Sequence, residues 1–141
     1  MKIEIFPSGP LDTNAYLVSC EKLREAVLID APSGAFGEIS ARLKEESLRL
    51  DAVLLTHGHW DHIGDAGRIS REFEVPIVAG ADGRPLIEDP DFQQSRLFAG
   101  APLDKMSIGV EAKDGDVLEY AGFKIKCVDV PGHCPGSLAF V

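Results

Sequence analysis

Ala52-Val53-Leu54-Leu55, followed at once by His57-Gly58-His59-Trp60-Asp61-His62, decides how the rest of this chain is read. The four apolar residues form a short continuous run, the signature of a strand buried on both faces. Three of the four histidines in 141 residues then fall within six positions. Chance would produce H-x-H-x-D-H in roughly three of ten thousand chains of this composition. Ligands of open α/β sheets gather at the carboxyl ends of strands, which is where this cluster sits.

Outward from that point the chain alternates between two periods. Toward the N-terminus, Ile3–Phe6 and Ala15–Val18 read as strands around a Pro7-Ser8-Gly9-Pro10 turn. Ala26–Ile29 is a second compact apolar run, ending at Asp30. Phe36, Ile39 and Leu43 then recur at helical spacing. Beyond the histidines, Ile63, Ala66, Ile69 and Phe73 repeat that spacing, and Pro76–Ala79 reads as a strand. This succession implies right-handed crossovers and a largely parallel sheet, hence an α/β fold. Ala81–Ala101 carries Pro, Gly and Asp punctuation and reads as one or two short helices joined by loops. Val117–Tyr120 and Phe123–Val128 return to strand patterns around an Ala121-Gly122 turn. Leu138–Val141 reads as the start of a buried strand at which the sequence stops. One domain over residues 1–141, incomplete at its C-terminus or completed by another chain, is the expectation; a short final edge strand is the alternative.

Composition narrows the functional classes. Hydrophobic residues are 45% and charged residues 26%, which fits a packed core and excludes disorder. Fourteen basic against twenty-three acidic residues give a net charge of −9, a poor match for a phosphate backbone, so no nucleic acid is expected. No apolar stretch reaches the ~18 residues of a membrane span, and no signal-peptide pattern follows Met1. Three widely spaced cysteines, Cys20, Cys127 and Cys134, argue against a disulfide scaffold and for a reducing cytoplasm.

The histidine spacing carries chemistry. Imidazole nitrogen and carboxylate oxygen both suit Zn²⁺. His57 and His59, two apart in an extended loop, can grip one ion from the same side, while Asp61 and His62, past a turn, can face a second. Gly58 allows close backbone approach. Trp60 is expected to wall the loop from below or to line a substrate pocket. The fourth histidine, His133, lies in Val130-Pro131-Gly132-His133-Cys134-Pro135-Gly136-Ser137, again after a strand, and can complete a three-histidine set. Cys134 is either a soft ligand or a buried bystander.

These segments resemble the metallo-β-lactamase superfamily. His57–His62 matches its H-x-H-x-D-H signature, Thr13-Asn14-Ala15-Tyr16-Leu17-Val18 its first hairpin, and Leu28-Ile29-Asp30 its strand ending in Asp. Pro131–Ser137 is similar to its P-G-H-T-P-G-S loop, with Cys134 in place of Thr. Within the superfamily the chain looks most like small glyoxalase II-type (hydroxyacylglutathione) hydrolases. The resemblance implies a four-layer αββα sandwich and two metal ions, zinc first and iron or manganese as alternatives. His57, His59 and His133 would hold the first ion, and Asp61 and His62 would belong to the second. Asp30 would orient a ligating histidine or serve only as a strand-end turn residue. The family's bridging Asp and last histidine fall beyond Val141. A small-molecule thioester would be hydrolysed by a hydroxide bridging the ions. With one ion only, Asp61 would act as general base. A partner-dependent or non-catalytic half-domain, associating as a homo-oligomer or with a completing segment, is one alternative. A mononuclear-iron enzyme resembling persulfide dioxygenases is another.

Overall fold

The computed structural model describes residues 1–89, 91–93 and 103–141. Six strands form one sheet in the order β1-β2-β3-β4-β5-β6, and three form a second, β7-β8-β9. The strands are β1 (Lys2–Ser8), β2 (Thr13–Cys20), β3 (Glu25–Ile29), β4 (Arg49–Leu54), β5 (Ile77–Gly80), β6 (Val110–Ala112), β7 (Val117–Tyr120), β8 (Phe123–Asp129) and β9 (Leu138–Phe140). Helix α1 (Phe36–Glu45) connects β3 to β4, and α2 (Trp60–Ile63) and α3 (Ala66–Phe73) connect β4 to β5. A 3-10 turn (Ala81–Gly83) and α4 (Arg84–Glu88) follow β5. The rest of the Ala81–Ala101 segment read above as short helices, residue 90 and residues 94–101, lies outside the described residues.

The larger sheet is mixed rather than largely parallel. Strands β3, β4, β5 and β6 run parallel to one another, but β1 and β2 form an antiparallel hairpin, and β2 runs antiparallel to β3. That hairpin turns later than its two prolines suggest. Pro7 pairs with Asn14 and Ser8 with Thr13, which moves the turn to residues 9–12. Strand β1 is the sheet edge, so the missing N–H of Pro7 can face outward at no cost to the ladder.

The apolar runs are explained by the layers. Along β4 and just past it, Leu50, Val53 and Leu55 join one core, and Ala52 and Leu54 the other. In β5, Ile77 and Ala79 alternate with Val78 in the same way. The first core is closed by Ile39 and Leu43 of α1, Ile63 of α2 and Ile69 of α3. The second is closed by Ile125 and Cys127 of β8 and Leu138 of β9. A sheet sandwiched between helices and a second sheet has no polar face, so its strands cannot alternate. Helices, large sheet and small sheet make three layers of the αββα arrangement.

The helical pattern beginning at Ile63 is interrupted. Asp65 leaves the helical conformation (φ −103°, ψ 1°) and separates α2 from α3. Its carboxylate Oδ2 accepts hydrogen bonds from the N–H groups of Gly34 and Phe36, both at 2.9 Å, at the start of α1. The break therefore satisfies otherwise unpaired amide donors where α1 begins.

Candidate metal centre

Strand β4 delivers the histidines to its carboxyl end. His57 follows in an extended loop, and His59 caps α2 with extended backbone (φ −66°, ψ 143°). Asp61 and His62 then fall on the first turn of α2. Gly58 lies against α4: a Cβ there would come within 2.7 Å of Leu86 Cβ and 3.0 Å of Ile87 Cγ1. Only glycine fits this approach.

His133 arrives from the other sheet, on the loop between β8 and β9. Two contacts seat that loop. The Leu138 N–H donates to the Thr56 carbonyl at 2.8 Å, tying the start of β9 to the residue before His57. Gly136, in the left-handed region (φ 74°), lies against the backbone of Gly83, where an added Cβ would be 2.4 Å from the Gly83 nitrogen.

Together these elements converge four imidazoles. One ligating atom from each of His57, His59 and His133 lies within 4.8 Å of the other two. His57 Nε2 is 3.1 Å from His59 Nδ1 and 3.3 Å from His133 Nε2. The His62 ring centroid is 4.2 Å from that of His57. His62 Nε2 stands 3.5 Å from Asp61 Oδ2.

Hydrogen bonding fixes the orientation of two of these rings, His57 and His62. Asp30 is buried beneath the cluster and, as a carboxylate, only accepts. Its Oδ1 takes the Thr56 N–H at 2.8 Å. Its Oδ2 takes the Thr56 hydroxyl at 2.7 Å and His62 Nδ1–H at 2.7 Å. The single Thr56 hydroxyl hydrogen is thus committed to Asp30, so Thr56 Oγ1 must accept from His57 Nδ1–H at 3.0 Å. In the neutral ring, His57 and His62 each therefore carry the lone pair on Nε2, the atom a metal would take. Asp30 is therefore the buried anchor that orients two histidines, one directly and one through Thr56. Thr13, at the start of β2, donates its hydroxyl to Asp61 Oδ2 at 2.9 Å and fixes that carboxylate. The roles of Thr56 and Thr13 escape sequence reading, because they follow from contacts across the fold.

Electrostatics separates the rings. Burial, with the neighbouring His62 and His59, lowers the His57 pKa from its usual 6.5 to about 4. Burial and His133 likewise lower that of His59. Burial also opposes protonation of His62, but its hydrogen bond to Asp30, the charge of Asp30 and that of Asp61 outweigh it and raise the pKa. Imidazoles converging beside two carboxylates form a donor set suited to a divalent cation. Cys134 is buried, its Sγ lies 3.6 Å from the Pro135 carbonyl, and burial raises its pKa. Its sulfur is not among the convergent ligating atoms. Trp60 packs against the helix-side core. A groove of about 260 Å³ opens beside His59 and His133, walled by Pro85, Leu86 and Phe92, with Asp82 at its side.

Residues 8–141 match the family model of the metallo-β-lactamase superfamily. The chain belongs to that superfamily. An uncharacterized protein of Mycobacterium tuberculosis is 34% identical over 145 aligned residues, covering 99% of this chain and 65% of the relative. Hydroxyacylglutathione hydrolase GloC of Haemophilus influenzae is 30% identical, covering 100% of this chain and 66% of the relative. Among solved structures, the BLEG-1 B3 metallo-β-lactamase superposes with a TM-score of 0.87 at 31% identity, over 99% of this chain and 66% of that one. TTHA1623 in a di-iron-bound form superposes with a TM-score of 0.81 at 31% identity, over 98% and 66%. The chain thus spans about two-thirds of the length of these superfamily members. No helix among the described residues is long and apolar enough to cross a membrane.

Proposed function

We propose that this chain carries the metal centre of a hydrolase acting on small-molecule thioesters of the hydroxyacylglutathione type, in a reducing cytoplasm. The observation that carries this reading is the convergence of three imidazole nitrogens beside Asp61 and His62, with the bare nitrogens of His57 and His62 set by Asp30. The 30% identity to a hydroxyacylglutathione hydrolase supports the substrate class. Three free cysteines fit the compartment.

His57 Nε2, His59 Nδ1 and His133 Nε2 would hold a first ion, and Asp61 and His62 Nε2 would contribute to a second. The donor set suits zinc, and the di-iron form of TTHA1623 makes iron the alternative. Bound ions supply Lewis acidity, which brings the pKa of water toward neutrality and polarises the scissile carbonyl. The chain's own residues do the rest. Asp30 and Thr56 hold two rings in the ligating tautomer. Thr13 donates to Asp61 Oδ2 and orients that carboxylate; with only the first ion held, the free Asp61 carboxylate would accept the proton of the attacking water. Pro85, Leu86 and Phe92 offer an apolar wall along which the substrate can lie. A thiolate leaves without a strong general acid, so the site needs no separate proton donor for thioesters.

The test is thiol release from a hydroxyacylglutathione by the zinc-supplemented full-length protein and by its His59→Ala variant. We expect hydrolysis by the wild type and a loss of more than about a hundredfold in the variant, since losing a ligand should exceed the 10–100-fold cost of losing a group that merely orients one. Circular dichroism should be unchanged. Equal hydrolysis by both, or none by the wild type, overturns the proposal.

A further inference from the structure

Gln93 is 35 residues from Gly58 in sequence, yet its side-chain amide is bound into the histidine loop. Its Nε2 donates to the Gly58 carbonyl at 2.6 Å and to the Leu86 carbonyl at 2.8 Å. Its Oε1 accepts the Trp60 N–H at 3.0 Å. Both amide hydrogens and the amide oxygen are thus engaged, and a flipped amide would set its oxygen against two carbonyls. The two anchored peptide groups, Gly58 C=O and Trp60 N–H, flank His59 on either side. The third, Leu86 C=O, belongs to α4, which Gly58 touches closely.

We infer that Gln93 is a positioning residue of the metal centre, clamping the His57–His59 loop to α4 so that His59 Nδ1 stays convergent with His57 Nε2 and His133 Nε2. The inference rests on the proposed metal-binding role of these histidines. Gln93 touches no ligating atom; it acts by fixing the backbone on both sides of His59. No shorter or charged side chain reproduces the clamp. Glutamate keeps the shape and can still accept from Trp60, but as a carboxylate it cannot donate to two carbonyls and would face them with negative charge. Leucine leaves all three backbone groups without that partner.

Cobalt(II) is the probe, because its visible absorption reports both occupancy and ligand geometry. The full-length protein and its Gln93→Glu and Gln93→Leu variants would be titrated with cobalt in competition with a chelator, alongside amide hydrogen exchange at Trp60 without metal. We expect both variants to bind cobalt about tenfold or more weakly, as when a group orienting a ligand is lost. Their cobalt spectra should be altered and, in Gln93→Leu, Trp60 exchange accelerated, while the melting temperature of a Phe92→Ala control reports any general loosening of the segment. Wild-type affinity and spectrum in either folded variant would overturn the role of Gln93 while leaving the metal centre intact. Absence of cobalt binding by the wild type would overturn the metal reading and this inference with it.

Discussion

His57, His59 and His62 come from one short stretch between β4 and α2, whereas His133 reaches the same point from a loop 76 residues beyond His57, on the second sheet. The first group is held from within the large sheet: Asp30 at the end of β3 and Thr56 at the end of β4 are neighbours across a parallel pair, and they set the rings. His133 depends on the docking of one sheet against the other, through the Leu138–Thr56 hydrogen bond and the close approach of Gly136 to Gly83. The contrast teaches that half of this centre is a local property of a strand end, and half is a property of the packed sandwich. Damage to the two halves should therefore look different.

The largest effect is expected from His57→Ala, which removes the ring contacting both His59 and His133. Zinc affinity, measured by chelator competition, should fall by well over a hundredfold, more than the 10–100-fold cost of losing an orienting partner. Next comes Gly136→Val. Its side chain would collide with Gly83 and strain a left-handed backbone, at about 1–3 kcal/mol of stability by denaturant unfolding. Its sharper signature is selective: the His133 ring resonance should shift, while His57 and His62 keep their tautomers by nitrogen NMR. A matching shift of His62 would break the distinction between the two halves. Thr56→Val tests the other half. It removes the hydroxyl between Asp30 and His57, so zinc affinity should drop about 10–100-fold and His57 should lose its fixed tautomer, with His133 undisturbed. The smallest effect belongs to Cys134→Ala. A buried thiol outside the convergent ligand set should leave zinc affinity unchanged within about twofold, with a stability cost near 1 kcal/mol for the lost burial.

The same contrast governs what the sequence discloses. Strands β3, β4 and β5 are legible because burial on both faces leaves an unbroken apolar run. The three clustered histidines are legible because local spacing encodes their loop. Strand β6 is missed: Val110–Ala112 has only three residues, too few to show a period, and it exists as a strand by pairing with Val78–Gly80. The antiparallel β1–β2 hairpin is found but its turn is misplaced, because an edge strand tolerates the proline that would end an inner one. Asp30, readable from its position as either anchor or turn residue, is resolved by its three hydrogen bonds. Thr56, Thr13 and Gln93 carry no pattern of their own, since each acts through a partner placed by the tertiary fold.

X-ray absorption at the zinc edge, on protein loaded with one equivalent of zinc, reads the ligand set itself. Three imidazole nitrogens are expected among the ligands at about 2.0–2.1 Å, with no sulfur, and loss of one imidazole contribution in His133→Ala. A sulfur scatterer at about 2.3 Å, or an unchanged spectrum in that variant, would contradict a centre built from His57, His59 and His133.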